Sequence, residues 1–418
     1  MDRERLSQLF GGVWSDLMRS PIHLDSLLAK QTPRAKSVLA QVLPQILARP
    51  ISLAEALGVG VPDGQPWNLD PAALAAWPAA RQMALELHAQ LQMGGVPKFD
   101  ALPEDFPPAM RSEFSSDWQN EGAARIFQRL TTAAPLSLRF SRRVDRDELV
   151  SRWRSSGKFP VRITLSSLSP WGVLLEGYTP VFRTPEYERG DFEIQDEGSQ
   201  VMAAFTLWPE EVAPLLSDSP AELKVQGGAL ALLKASVPAS WKVVDACAGA
   251  GGKSLALADL MKGQGRIFSY DISATKLQAL RRRASHAGVT NIQAIPVTEG
   301  QESESLMRFE KTADRVLVDA PCSGWGVLRR NPDIKWRQSS AALSRFPEIQ
   351  LRLLEAYSQL TKPGGVLVYG TCTFRKAETT AVVHQFLERN GAQFSKGPGG
   401  FLGPGSSDGF FMQSFTRT

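Results

Sequence analysis

The sequence predicts an α/β protein whose main domain has a doubly wound, Rossmann-like sheet, accompanied by a small α+β unit and an N-terminal helical region. Short apolar runs rich in valine and isoleucine alternate with helical segments from about residue 190 onward. This alternation is typical of parallel sheets that helices cover on both faces. Several of the runs end at an aspartate or a cysteine, which indicates a ligand site at one edge of the sheet.

The composition is that of an ordinary globular chain. Of the 418 residues, 43% are hydrophobic and 22% are charged, with a formal net charge of +4. These values exclude a wholly disordered chain, a collagen and a coiled coil. There is no apolar run of roughly 18 residues, so no membrane span is predicted. Three cysteines and a charged start without the apolar core of a signal peptide predict a cytoplasmic protein with reduced thiols. A monomer is expected.

Residues 1–130 are predicted to be helical. Apolar residues recur at helical spacing over Leu27–Leu47, and a second helical stretch covers Ala72–Met93 with an interruption at Pro78. A loop rich in glycine and proline, Gly58–Pro66, separates the two stretches. This region contains no chemical motif.

Residues 131–190 are predicted to form a small, RRM-like β-α-β-β unit with a basic surface. Between Arg139 and Arg162 there are eight basic residues and three acidic ones. An RNA-binding surface has this composition, with Arg139, Arg142 and Arg143 as candidate phosphate contacts. A solvated helix face has the same basic composition, so an RNA-binding surface and a solvated helix face both stay open as interpretations.

Residues 191–418 are predicted to form the catalytic domain. Successive strands end at Asp245, Asp271, Asp319 and Cys372, and a further strand covers Ile292–Pro296. Helices are predicted at Ser254–Met261, Ala274–His286, Ala341–Leu360 and Ala377–Asn390. Because the carboxyl ends of parallel strands meet at one edge, we expect the four strand-end side chains to lie around one crevice.

A glycine-rich loop follows the first of these strands. Glycines at positions 249, 251 and 252 allow a tight turn and a close approach of the backbone to a ligand. Asp271 lies 19 residues after Gly252, where a carboxylate can accept hydrogen bonds from both hydroxyls of a ribose. The combination predicts an adenosine-containing cofactor.

Two other cofactor classes fit this loop poorly. The G-x-G-x-x-G pattern of dinucleotide sites is absent, and Cys247 stands where a phosphate-binding P-loop needs glycine. Asp245 suits a cofactor that carries an ammonium group, as S-adenosylmethionine does. A tight turn without a ligand is the alternative.

Cys322 and Cys372 are predicted to face the same crevice if their strands are neighbours. A thiolate beside a methyl donor has a chemical use, because its addition to carbon 6 of cytosine makes carbon 5 nucleophilic. Asp319 is placed to handle the proton at the ring nitrogen during this addition. The alternative is that both cysteines are small buried hydrophobic residues. Cys247 is interpreted as a packing residue, and no cysteine or histidine spacing indicates a metal site.

These motifs resemble those of the RsmB/Sun-type RNA (cytosine-5) methyltransferases over roughly residues 135–418. DACAGAGGKS is similar to the family's cofactor-binding motif, VDAPCSG to its Asp-Ala-Pro-Cys motif and YGTCTF to its Thr-Cys motif. Gly190–Gln200 is similar to the segment that leads into the catalytic domain, and Asp408–Phe411 resembles the closing strand. The chain departs from the family at Gly249-Ala250, where Ala-Pro is common, and at Thr298-Glu299, where an acid near the adenine is usual.

The resemblance implies S-adenosylmethionine as cofactor, RNA as substrate and a role for each thiol. Cys372 would be the nucleophile and Cys322 would promote product release, with Asp319 and Lys253 in the active site. The implied cofactor-binding residues are Asp245, Ala246, Cys247, Ala248, Gly249, Ala250, Gly251, Gly252, Lys253, Asp271 and Asp319. The implied RNA-facing residues after the Cys322 motif are Arg329, Arg330, Lys335 and Arg337.

The leading hypothesis is therefore methylation of carbon 5 of a cytosine in RNA. Ribosomal RNA is favoured because residues 1–130 are similar in place to the NusB-like domain of that branch. Transfer RNA and a non-catalytic role in RNA binding or ribosome assembly stay open as alternatives. A nicotinamide oxidoreductase is disfavoured, because the loop lacks the required glycines and no histidine or tyrosine lies near it.

Overall fold

The computed structural model describes residues 2–19, 24–57, 59–60, 71–93, 103–159, 161–177, 179–222, 237–302, 306, 310–405 and 407–418. Most of the predicted loop Gly58–Pro66 lies outside these residues. The chain divides into two compact units. One comprises Met1–Ala133 with Val327–Leu343, and the other comprises Ala134–Gly326 with Ser344–Thr418.

The first unit is helical, which confirms the prediction for the N-terminal region. Its helices span Arg3–Arg19, Leu24–Ala29, Pro33–Ala48, Pro50–Ala56, Pro71–Ala75, Pro78–Gln92 and Pro108–Leu130, and the later segment adds Ile334–Arg337. Proline opens several of them, at a position where its missing N–H costs no hydrogen bond. The later segment packs through Trp336, whose ring centroid lies 5.6 Å from that of Trp14.

The second unit begins with a four-stranded antiparallel sheet. Strands β1 (Leu136–Phe140), β2 (Arg162–Leu165), β3 (Gly172–Glu176) and β4 (Phe192–Ile194) lie in the order β2-β3-β1-β4. The helix Arg146–Ser155 begins at Asp145, whose carboxylate accepts hydrogen bonds from the amides of Asp147 and Glu148. Phe140 and Trp153 are buried, with ring centroids 5.5 Å apart. These aromatics form the core of the small sheet, so they offer no stacking surface for bases.

The described residues of the second unit also form a seven-stranded sheet. Its strands are β5 (Lys242–Ala246), β6 (Arg266–Asp271), β7 (Ile292–Pro296), β8 (Ala313–Asp319), β9 (Thr361–Thr371), β10 (Phe394–Leu402) and β11 (Phe410–Arg417), in the order β10-β11-β9-β8-β5-β6-β7. Strands β5 to β9 are parallel, as predicted. Strands β10 and β11 are antiparallel, because the short loop between them cannot provide the crossover that a parallel pair needs. The sheet is therefore mixed.

The second unit also has helices, and the last four of those given next lie close to the predicted positions. They span Pro185–Glu188, Glu197–Leu207, Pro209–Val212, Gly252–Leu260, Ala274–His286, Ser340–Ser358 and Thr380–Asn390. Val243, Ile267, Leu317 and Val368 lie within the sheet's core and are fully buried. In the described part of the chain, no helix is long and apolar enough to cross a membrane.

Candidate active site

The loops after β5 and β8 lie at the point where the strand order reverses. From β5 the chain proceeds through β6 and β7 on one side and through β8 and β9 on the other. Ligands of open α/β sheets bind in the crevice between such loops. The predicted strand-end residues Asp245, Asp271, Asp319 and Cys372 all lie at this carboxyl edge.

The glycine loop after β5 is shaped by left-handed backbone conformations. Gly251 has φ +87°, and a Cβ placed on it would lie 2.0 Å from Cδ1 of Leu280, so a side chain is excluded there. Gly249 has φ +56°, and a Cβ on it would meet nothing within 4 Å. The backbone at Gly249 therefore borders open space, which is a surface that a ligand can approach closely.

Asp271 connects this loop to the helix after β6. Its Oδ2 accepts a hydrogen bond from the Gly249 amide at 2.8 Å, and its Oδ1 accepts one from the Ser273 amide at 2.8 Å. These two bonds orient the carboxylate, and each oxygen retains acceptor capacity for a ribose hydroxyl. The next residue, Ile272, is a large hydrophobic side chain with 56% of its surface exposed. A carboxylate beside an exposed apolar side chain suits the ribose and the base of an adenosine.

Asp245 lies beneath the loop. It is fully buried, and its Oδ2 accepts a hydrogen bond from Oγ of Ser254 at 2.5 Å. Its Oδ1 has no hydrogen-bond partner among the described residues. Burial raises the pKa of the Asp245 carboxyl to about 7. This placement favours a supporting role under the loop over the predicted direct contact with a cofactor's ammonium group.

Replacing Asp245 with asparagine is expected to stabilise the protein at high pH. Because the pKa of the native carboxyl is about 7 and the ordinary value is 3.8, the stability that this group contributes is lost as the pH rises through about 7. The gain in the free energy of unfolding should reach at most about 4 kcal/mol at pH 8.5 and vanish below pH ~4. Urea titrations of both proteins at the two pH values measure the difference.

Glu302 offers a control of opposite sign. Burial alone would raise the pKa of the Glu302 carboxyl. Its hydrogen bonds, of which the one from Arg352 has the largest effect, lower the pKa below its ordinary value. Its contribution to stability is therefore present above its ordinary pKa and is lost as the pH falls. Glu302→Gln should destabilise the protein at pH 8.5. If Asp245→Asn and wild type had the same urea midpoint at pH 8.5, the burial argument for Asp245 would be wrong.

Lys253 and Asp319 form an ion pair across the crevice. Nζ of Lys253 lies 2.6 Å from Oδ2 of Asp319, and both side chains are largely buried. Burial lowers the pKa of Lys253, but the Asp319 carboxylate, together with Cys372 and Asp245, offsets this effect, so the pKa lies above its ordinary value. The pair holds a carboxylate and an ammonium group in fixed positions at the end of β8.

The sulfur atoms of Cys322 and Cys372 lie 3.2 Å apart. Strands β8 and β9 are parallel neighbours, which brings the two cysteine loops together although their thiols are 50 residues apart in the chain. Both thiols are free and half-buried. The pKa of Cys322 is raised, first by its hydrogen bond with Cys372 and then by burial. Burial also raises the pKa of the Cys247 thiol, as expected for a packing residue.

Two of the predicted RNA-facing residues are buried instead, so the prediction is wrong for them. The Lys335 ammonium donates to the carbonyl oxygens of Ala48 and Asp105 at 2.6 Å and 2.7 Å inside the helical unit. The Arg139 guanidinium bonds to Asp259 and Gln195, both at 2.7 Å. A buried cation with such partners cannot meet a phosphate at the surface. Local charge counts gave no sign of these distant partners.

The other predicted RNA-facing residues reach solvent to different degrees. Arg143 is exposed, and one of its guanidinium nitrogens donates to the Ala287 carbonyl at 2.9 Å. Arg142, Arg329, Arg330 and Arg337 are half-buried. Arg337 pairs with Asp333 at 2.7 Å. For these arginines the RNA contact stays a prediction.

Glu378 is a buried residue at the site that sequence reasoning misses. Its carboxylate lies beneath both cysteine loops and accepts hydrogen bonds from Ser323 and Gln350. The only local signal is its position six residues after Cys372, and this spacing has no chemical meaning on its own. Among the described residues, no group of three or more histidine, cysteine or acidic side chains could hold a metal ion.

A glycine loop with an acid at the end of the following strand, in a parallel sheet with one strand, β11, running in the opposite direction, is typical of the class of S-adenosylmethionine-dependent methyltransferases. A solved structure of this fold, NSun6 from Pyrococcus horikoshii with the S-adenosylmethionine analogue SFG, superposes with a TM-score of 0.60 at 16% identity, covering 75% of this chain and 98% of that one. A family model described as 16S rRNA methyltransferase RsmB/F matches residues 232–396.

Curated relatives extend this match over most of the chain. The ribosomal RNA small subunit methyltransferase B of Xylella fastidiosa (strain 9a5c) is 30% identical over 410 residues, which cover 90% of this chain and 87% of that protein. The "Probable ribosomal RNA small subunit methyltransferase B" of Bacillus subtilis (strain 168) is 31% identical over 312 residues, 72% of this chain and 62% of that protein. The chain thus spans less than two thirds of the Bacillus relative. It belongs to the RsmB/F methyltransferase family, as the motifs predict.

Proposed function

We propose that this protein transfers a methyl group from S-adenosylmethionine to carbon 5 of a cytosine in RNA, through a covalent adduct between cytosine carbon 6 and Cys372. The observation that carries the proposal is the pair of thiols 3.2 Å apart beside the Lys253–Asp319 ion pair. A methyltransferase acting on a nucleophilic nitrogen or oxygen needs no thiol. Carbon 5 of cytosine does need one, because it becomes nucleophilic only after addition to carbon 6.

The residues around the glycine loop fit the cofactor. Asp271 offers two oriented oxygens to a ribose, and the backbone at Gly249 borders open space that a side chain would occupy. S-adenosylmethionine supplies an electrophilic methyl group on a sulfonium. The chain's own contribution is to hold the adenosine with Asp271, so that the methyl group faces carbon 5 of a cytosine bound at the two thiols.

The neighbouring thiols divide the chemistry between them. In the proposal, the Cys372 thiolate adds to carbon 6, and Cys322 stays protonated and donates a hydrogen bond to the other sulfur. The raised pKa of Cys322 favours its protonated form. After carbon 5 has taken the methyl group, its proton must leave and the bond to Cys372 must break. Cys322 lies close enough to give its proton to the departing Cys372 sulfur while its own sulfur accepts the proton from carbon 5, so that both thiols end protonated.

Asp319 is assigned to the cytosine ring. Addition at carbon 6 places negative charge on the ring, which a proton held at nitrogen 3 neutralises. The Lys253 ammonium fixes the Asp319 carboxylate at 2.6 Å, so that the pair presents an acceptor and a proton source at one place. This geometry supports a shared role of both residues at the base edge.

Ribosomal RNA is the favoured substrate. The relatives named above are small-subunit ribosomal RNA methyltransferases, and one of them aligns along 90% of this chain, including most of the helical unit. The exposed Arg143 and the half-buried arginines provide positive charge for a phosphate backbone. Transfer RNA is the second candidate substrate. A cytoplasmic location, where thiols stay reduced, belongs to the proposal.

The direct test is methyl transfer followed by mapping of the product. The full chain, labelled S-adenosylmethionine and either ribosomal or transfer RNA should give 5-methylcytosine in ribosomal RNA. Bisulfite sequencing, in which 5-methylcytosine resists conversion, then locates the modified base. Label on another nucleoside would overturn the cytosine assignment, and label on transfer RNA alone would overturn the choice of substrate.

A further inference from the structure

A buried polar cluster lies beneath the two cysteine loops. We call it the Glu378 cluster, and its members are Ser323, Gln350, Thr373, Arg375 and Glu378. All five are nearly or fully buried, and Glu378 has no exposed surface. Burying a carboxylate is costly unless it is paired and hydrogen-bonded, so the partners of Glu378 determine what the cluster does.

The Glu378 carboxylate fixes the Cys322 loop through hydrogen bonds. Its Oε2 accepts a hydrogen bond from the Ser323 amide at 2.8 Å and another from Nε2 of Gln350 at 2.9 Å. The same Gln350 nitrogen donates to the Pro321 carbonyl at 2.9 Å. The backbone is therefore held both immediately before and immediately after Cys322, through one carboxylate and one amide.

The same residue is joined to the Cys372 loop. Arg375, three residues after Cys372, donates to Oε1 of Glu378 at 2.8 Å, and its guanidinium lies 5.0 Å from the ring centroid of Trp325. The hydroxyls of Ser323 and Thr373 lie 2.8 Å apart and link the two loops directly. The Glu378 carbonyl accepts a hydrogen bond from the Tyr369 hydroxyl on β9 at 2.7 Å.

A buried ion pair of this kind is weak support for stability, because desolvation of both charges offsets their attraction. Its consequence is geometric. Three donors from three separate segments converge on one carboxylate, so a shift of either cysteine loop would deprive a buried charge of one of its donors. The Glu378 charge also contributes, after the Cys372 hydrogen bond and burial, to the raised pKa of Cys322.

We infer that Glu378 is a positioning residue of the methyl-transfer site, whose carboxylate locks the Cys322 and Cys372 loops together and so fixes the two thiols side by side. The inference rests on the proposed function in one respect, which is that the two thiols act on cytosine. The lock itself is a property of the folded protein and can be measured without RNA or cofactor.

The test compares Glu378→Gln with wild type in two measurements. The substituted amide would present an NH2 group where the carboxylate accepts hydrogen bonds, so one donor would lose its partner while the side-chain volume stays the same. We expect kcat for methyl transfer to fall by at least about tenfold, with KM for RNA and for S-adenosylmethionine within about twofold. In the second measurement, iodoacetamide alkylation of each cysteine is followed by mass spectrometry across pH, without RNA or cofactor. Wild type should react mainly at Cys372, and the variant should also react at Cys322, at lower pH than wild type does.

Asp314→Asn is the matched control. Asp314 is a buried carboxylate that also accepts a backbone amide, that of Lys242 at 2.8 Å, and pairs with Lys362. It lies near the amino end of β8, away from the cysteine loops. This variant should lose stability but keep wild-type kcat and the wild-type alkylation pattern.

Thr373→Val is a second test variant that keeps the shape of the side chain. It removes the hydroxyl bond between the loops and a longer bond, at 3.4 Å, that the same hydroxyl accepts from the Arg375 amide. We expect a smaller change of the same kind in both measurements. The inference is overturned if Glu378→Gln and Thr373→Val both keep wild-type kcat and alkylation, or if Asp314→Asn reproduces the changes. If wild type fails to methylate cytosine while the alkylation contrast appears, the proposed function fails and the lock stands.

Discussion

Replacing Cys372 with alanine is expected to abolish methyl transfer to cytosine, with a loss of more than about a thousandfold in kcat. The physical reason is that no other group at the site adds to carbon 6. Cys322 is 3.2 Å away, but its raised pKa keeps it protonated. The measurement is transfer of labelled methyl to RNA, together with covalent capture on RNA containing 5-fluorocytosine. Carbon 5 of that base bears no proton to lose, so the adduct accumulates.

Cys247→Ala is the control for the loss of a thiol. Its sulfur belongs to the glycine loop, and burial raises its pKa, so it should not take part in covalent capture. The Cys247→Ala protein should form the 5-fluorocytosine adduct, and the Cys372→Ala protein should form none. Capture by Cys372→Ala would show that Cys322 is the nucleophile, and the two thiol roles would have to be exchanged.

Replacing Cys322 with alanine is expected to trap the protein on its RNA. In the proposed mechanism, addition and methyl transfer require only Cys372. Release requires a proton for the departing sulfur and an acceptor for the carbon 5 proton. Without the neighbouring thiol we expect multiple turnover to fall by about a hundredfold or more. With unmodified RNA, a covalent protein–RNA adduct should be visible on a denaturing gel. The amount of adduct should rise as the first methyl group is transferred.

The double variant Cys322→Ala/Cys372→Ala separates a covalent adduct from tight binding. It should give no band that survives denaturation, although it retains the arginines that are predicted to face RNA. If Cys322→Ala turned over at the wild-type rate without accumulating an adduct, the release role would be wrong. Cys322 would then serve only to stabilise the Cys372 thiolate.

Much of the fold can be predicted from local pattern. The apolar runs of β5, β6 and β8 are buried on both faces, so they read as continuous hydrophobic segments with a polar residue where each strand ends. For this reason Asp245, Asp271 and Asp319 were identifiable as candidates for the sheet edge. Strands β10 and β11 are harder to predict from local pattern. Glycine and proline interrupt β10, and the relative direction of the two strands depends on the hairpin that joins them.

Misassignments occurred where a charge has a distant partner. Lys335 and Arg139 lie in basic stretches that resemble an RNA surface, yet each bonds to groups far away in the chain. Residue type and local charge do not specify whether a side chain is buried, because burial depends on which elements pack together.

The sequence by itself determined the family and the candidate groups, since the two motif cysteines, the glycine loop and the strand-end acids are visible as patterns within a few residues. Only the tertiary structure decided which of these groups meet. The thiols of Cys322 and Cys372 come together because β8 and β9 are neighbours, and Lys253 reaches Asp319 because β5 lies beside β8. Glu378 connects both cysteine loops through hydrogen bonds from donors up to 55 residues away. Such contacts depend on strand order, which no local periodicity encodes.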